Sequence, residues 1–140
     1  MADGPRILLV SPDLMAISRL ASLARQAGGT LESLRSLDAG PREDGYDVVL
    51  IDLQGMAEDP ALLVARVRAA VPGRSQIGSQ AGAQGGPQAS PRIVAFGPHV
   101  ATARLEQARA AGADEAVSRG ELLGGFPAVL RRNCPGTSGR

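Results

Sequence analysis

The chain has 140 residues, room for one domain whose core buries roughly two-thirds of the surface of the unfolded polypeptide. Its formal charge of +1 leaves no large field to hold nucleic acid or an anionic membrane. All 15 cations are arginine, and Tyr46, Phe96 and Phe126 are the only aromatics, too few for a base-stacking platform or an aromatic cofactor pocket.

Arg6 to Val10 is a short continuous apolar run, the mark of a strand covered on both faces. Ser11-Pro12-Asp13 reads as a helix start, with Ser11 as cap, Pro12 in the first turn and Asp13 at the positive dipole end. Leu14, Ile17, Leu20, Ala21 and Ala24 follow at helical spacing, and Gly28-Gly29 closes the helix. Thr30 to Leu37 is ambiguous, because Leu31, Leu34 and Leu37 fall three apart in a segment too short for a firm helix; it is taken as an edge strand. Asp38 to Gly45 mixes glycine, proline and charge, which leaves a helix there at most about one turn long. Asp47 to Asp52 is the third strand, followed by a loop from Leu53 to Met56.

A second clean helix start stands at Glu58-Asp59-Pro60, with Leu63, Val64, Val67 and Val71 on one face and Pro72-Gly73 at its end. Residues 74–90 are dominated by Gly, Gln, Ser and Ala and cannot bury enough apolar area to offset their ordering entropy, so a flexible insertion is expected. Arg92 to Phe96 is the fourth strand, turning at Gly97-Pro98-His99, and Thr102 to Ala111 is a helix stopped by Gly112. Glu115 to Ser118 is a last short strand. Leu122 to Arg132 forms the final helix, with Leu122, Phe126, Val129 and Leu130 as its apolar side and a start weakened by Gly124-Gly125 and Pro127. Right-handed crossovers then give an α/β fold, a parallel five-stranded sheet with helices on both faces. Residues 1–133 are expected to form a single domain and 134–140 a disordered tail.

Chemistry concentrates at Asp52, a carboxylate at the C-terminal tip of a buried strand, where open α/β sheets bind ligands. His99, the only histidine, belongs to a crevice loop near it and reads either as a base or proton sensor or as an ordinary cap or loop residue. No serine or cysteine nucleophile with an orienting acid can be assigned to it. Lysine is missing altogether, which excludes a P-loop, and Ser11-Pro12-Asp13 replaces the glycines of a dinucleotide fingerprint or a nucleophile elbow. Cys134 stands alone, which excludes an internal disulfide and a cysteine-built zinc site. No stretch reaches the ~18 apolar residues of a membrane span, and Met1 to Pro5 lack the order of a signal peptide, so a cytoplasmic location is expected.

The runs Ile7 to Val10, Asp47 to Leu53 and Ala110-Ala111-Gly112-Ala113-Asp114 through Arg119 resemble those of a receiver domain of bacterial response regulators, over nearly the whole length apart from residues 74–90. The resemblance implies a three-layer flavodoxin-like (CheY-like) sandwich of strand order 2-1-3-4-5, with the second helix short or missing. It places Asp52 at the phospho-acceptor position and Arg119 at the position of the usual lysine, followed by Gly120 in place of the usual proline. It sets Ser11 and Pro12 on the acid pair that holds Mg²⁺, leaving Asp13 as the one nearby carboxylate, expected to point away from the metal position. It puts Phe96 or Gly97 on the switch hydroxyl, and neither side chain can bond a phosphoryl oxygen. Arginine keeps the charge of lysine but offers a planar fork suited to a carboxylate.

The expectation is therefore a degenerate, stand-alone pseudo-receiver, a non-enzymatic protein-interaction module in bacterial signal transduction or regulation, without cofactor or metal. An Asp52–Arg119 ion pair would imitate one signalling state; the bland alternative is a strand-end acid with ordinary partners. The resemblance implies a contact face made of the fourth helix, fifth strand and fifth helix, about Thr102 to Ala111, Glu115 to Ser118 and Leu122 to Arg132. Exposed Arg104, Glu106, Arg109, Arg131 and Arg132 would charge that face. No output domain follows, so effects are expected to pass through a protein partner or a homodimer. The alternative is a phosphorelay receiver that accepts phosphate on Asp52 with Mg²⁺ held weakly by Asp13 and Asp52, and a third is a small enzyme using His99 and Asp52.

Overall fold

The computed structural model describes residues 5–35, 45–54, 59–71, 91–98, 100 and 102–133. The strands are β1 (Arg6–Val10), β2 (Thr30–Leu34), β3 (Val48–Asp52), β4 (Arg92–Gly97) and β5 (Glu115–Ser118), of which β1, β3 and β4 are the apolar runs. All neighbours pair in parallel in the order β2-β1-β3-β4-β5, the order that the receiver resemblance implies. Among the described residues five helices accompany them: α1 (Leu14–Gln26), α2 (Pro60–Ala70), α3 (Thr102–Ala110), α4 (Arg119–Gly124) and α5 (Phe126–Asn133).

Alternation along each strand sends side chains into two separate cores. Leu8, Val49, Ile51 and Ile93 pack with Leu63, Val64 and Val67 of α2 and Ala108 of α3. On the other face Ile7, Leu9, Leu50 and Val94 meet Leu20 and Ala24 of α1, Leu122 of α4 and Phe126, Val129 and Leu130 of α5. Every residue of β3 is buried, which is why that strand reads as an unbroken apolar run. Register sets what stands at the sheet's C-terminal edge: Val10 pairs with Ile51, Asp52 with Phe96 and Gly97 with Ser118. Ser11, Asp52, Phe96 and Arg119 therefore emerge side by side.

Three local expectations are corrected. The cap of α1 is Asp13, whose carboxylate accepts the Met15 N–H at 3.0 Å, and not Ser11. The buried stripe of that helix is Ala16, Leu20 and Ala24, four apart, so Leu14 falls off the stripe and is 63% exposed. The single final helix expected from Leu122 to Arg132 is two helices. Ser118 and Glu121 form a capping box that starts α4 directly after β5, and Gly125 breaks the run. Pro127 then falls in the first turn of α5, where its missing N–H has no helical partner to lose. Gly28 and Gly112, at φ 83° and 119°, end α1 and α3 in the left-handed region as expected. Of the turn-like stretch from Asp38 to Gly45, residues 38–44 lie outside the described residues, as do the insertion at 74–90, His99 and the tail with Cys134.

Candidate functional site

Asp52 is fully buried at the last position of β3. A charge taken out of water is costly unless partners replace its hydration, and the surrounding strand ends supply them. The Ser11 hydroxyl donates to Asp52 Oδ2 at 2.7 Å, and the Gln54 backbone N–H donates to Oδ1 at 3.0 Å. Ser11 Oγ in turn accepts the Asp13 N–H at 3.1 Å, which ties the start of α1 to the tip of β3.

Arg119 opens α4 just after β5, and its guanidinium closes the cluster. Nη2 lies 3.4 Å from each carboxylate oxygen of Asp52 and donates to Gln54 Oε1 at 3.0 Å. Nη1 stands 3.8 Å from Asp13 Oδ2. The guanidinium carbon sits 5.7 Å from the centroid of the Phe96 ring, within the range of a cation–π contact. One cation thus touches residues from α1, β3, the loop after it and β4. A lysine ammonium, a single point on a flexible stem, lacks the fork to serve so many directions at once.

The structure brings together Asp52, Arg119, Ser11, Asp13 and Phe96. Asp13 does not point away: besides capping α1 it forms an ion pair with Arg119, because a cap residue sits outside the helix and turns its carboxylate toward the strand ends. Pro12 is half-buried between β1 and α1 and offers no side-chain donor or acceptor. Gly97 is buried, and a Cβ there would meet only the Leu53 Cβ, at 3.6 Å. One participant, Gln54, was not singled out from the sequence, and another, Arg104, was assigned a different place. Gln54 follows the acid at the loop's start, a polar residue beside a strand-end carboxylate that could have been flagged. Arg104 was expected to be exposed but is half-buried and donates through Nη2 to the Leu53 carbonyl at 3.0 Å; nothing local in the sequence signals that reach across 51 positions.

Magnesium asks for near-octahedral oxygen ligation at about 2.0–2.1 Å. Among the described residues no three His, Cys, Asp or Glu side chains gather in a group that could hold a metal. The two carboxylates at the cleft, Asp13 and Asp52, both face a guanidinium. In the fold the cation shared by these two carboxylates is Arg119.

No protein-family model and no curated protein matches the chain. Solved structures do match. The receiver domain of a sensor histidine kinase from Pseudomonas aeruginosa, solved with a magnesium ion coordinated in its active site cleft, gives a TM-score of 0.66 at 17% identity over 94% of this chain and 98% of that one. A response regulator from Thermotoga maritima gives 0.68 at 12% identity over 94% and 98%. A response regulator receiver protein from Burkholderia phymatum gives 0.65 at 19% identity over 94% and 95%. At such identities the likeness speaks for the architecture alone: this chain has the fold of response-regulator receiver domains.

Proposed function

We propose that the protein is a pseudo-receiver, a phosphorylation-independent interaction module in bacterial two-component signalling or regulation. The observation that carries this reading is the Arg119 guanidinium set between Asp13 and Asp52, a cation built into the chain; the Pseudomonas aeruginosa domain has instead a magnesium ion coordinated in its active site cleft. Ser11 supports it from the other side by donating to Asp52. The module is read as non-enzymatic and needs no metal. It works through a protein partner or a second copy of itself, and the face offered to it comprises α3, β5 and the α4–α5 pair. Glu106, Arg109 and Arg131 are exposed there, whereas Arg132 is engaged with Glu115. No helix among the described residues is long and apolar enough to cross a membrane.

The test is chemical. Purified protein incubated with Mg²⁺ and a small-molecule phosphodonor is examined by intact mass beside Asp52→Asn. Both are expected to keep their mass. A phosphoryl group gained by the wild type and refused by Asp52→Asn would instead make it a working phospho-acceptor.

A further inference from the structure

Three consecutive residues at the end of β3 are gripped by arginines from two flanks. Arg119, on the α4 side, reaches the Asp52 carboxylate and Gln54 Oε1. Arg104, in the first turn of α3, donates to the carbonyl of the residue between them, Leu53. Leu53 is itself a junction: its N–H donates to the Phe96 carbonyl at 2.8 Å, and its buried side chain shares an apolar cluster with Ala108, against which Leu105 packs. Ala108 is the only fully buried residue of α3. A helix with so little apolar anchorage is placed largely by its polar contacts, and a charge-assisted bond in its first turn weighs heavily in that placement.

We propose that Arg104 and Arg119 form one coupling device, in which Arg104 is a positioning residue that ties α3 to the setting of the Asp52 carboxylate through the backbone of Leu53. A change at Asp52 that frees the backbone of residues 52–54 displaces the Leu53 carbonyl, and Arg104 passes that displacement to α3. The inference rests on the reading of α3 as part of the contact face, and it names how the strand-end cluster would set that face.

Amide hydrogen exchange of the α3 segment in the full chain tests it, with wild type, Asp52→Asn, Arg104→Met and the double variant compared. Asp52→Asn is expected to speed α3 exchange by on the order of tenfold, the scale of one charge-assisted hydrogen bond, and to add nothing once Arg104 is methionine. Arg119→Lys perturbs the same cluster differently and is expected to show the same dependence on Arg104, with Arg104→Lys restoring part of the response. Equal responses in both backgrounds overturn the proposal, as does an α3 that responds in neither. Intact mass after phosphodonor treatment of the same samples reads the functional proposal separately. A phosphoryl gain with the Arg104 dependence intact would defeat that reading and leave the coupling standing.

Discussion

Arg119 and Asp52 are 67 positions apart in the chain and meet because β5 and β3 end at the same edge of the sheet. Asp52 is fully buried while the Arg119 side chain is 27% exposed, so the pair is asymmetric: removing the arginine strands a desolvated charge, whereas neutralising the acid leaves a cation that water can reach. Arg119→Met is expected to cost about 1–3 kcal/mol in urea unfolding, below the usual figure for a buried pair because the contact is long and partly wet. Asp52→Asn should cost less, and the double variant less than the sum of the two. A double-mutant cycle showing simple additivity would mean that the two groups ignore each other. Asp52 was legible in the sequence as an acid closing an apolar run, and Arg119 from the likeness of its flanking stretch. Ser11 was placed at the cleft by the same likeness, but its bond to Asp52, the part of Gln54 and the reach of Arg104 to Leu53 were not legible, since a hydroxyl's orientation and a long side chain's reach are fixed by tertiary neighbours that no local pattern encodes.

At the scale of elements, the opposite end of β5 shows how a short terminal helix is pinned. Glu115 accepts from Arg132 through Nε at 3.1 Å and through Nη2, and from Asn133 Nδ2 at 2.9 Å. Asn133 also donates to the Val129 carbonyl, within α5. Burial alone pushes the Glu115 carboxyl up, but the hydrogen bonds from Arg132 and Asn133 outweigh it and hold it below the ordinary 4.5. A carboxyl lowered on folding adds stability that is complete above its unfolded value and is lost as the pH falls through its folded one. The difference in urea midpoint between wild type and Glu115→Gln is therefore expected to be constant above about pH 5 and to shrink below the ordinary 4.5; a difference flat through acid would remove the ion pair from the account. β1, β3 and β4 were readable as strands because each is a compact apolar run, whereas β2, with Thr30, Glu32 and Ser33 among its leucines, was ambiguous. The split between α4 and α5 was hidden, since the signals read as a weak helix start, Gly124-Gly125 and Pro127, are the break itself, and the true start lies upstream in the Ser118 and Glu121 box.

At the scale of the molecule, the sheet divides the apolar side chains of the described residues into two cores, one on each face. Leu50, fully enclosed against the α1 and α5 side, contributes packing that nothing else can replace, and Leu50→Ala is expected to cost about 2–5 kcal/mol. Leu14→Ala, at a position first read as part of the buried face but open to solvent, should change stability by less than about 0.5 kcal/mol. Thermal and urea denaturation of the two variants side by side checks the contrast; a comparable loss in both would put Leu14 back inside. A parallel sheet with helices on both faces was legible before any coordinates because right-handed crossovers leave few arrangements, whereas the strand order came from the receiver resemblance. The packing of α1 was legible at Ile17, Leu20 and Ala24 but not at its first turn, where Leu14 continues the apolar spacing on paper while Ala16 takes the buried place in the fold.

The counter-charge beside Asp52 is carried on the polypeptide and not drawn from solution. It has no off-rate of its own, cannot be chelated away, and does not thin out when ion supply falls. Its occupancy is fixed at translation and follows only the folding equilibrium of the chain that bears it.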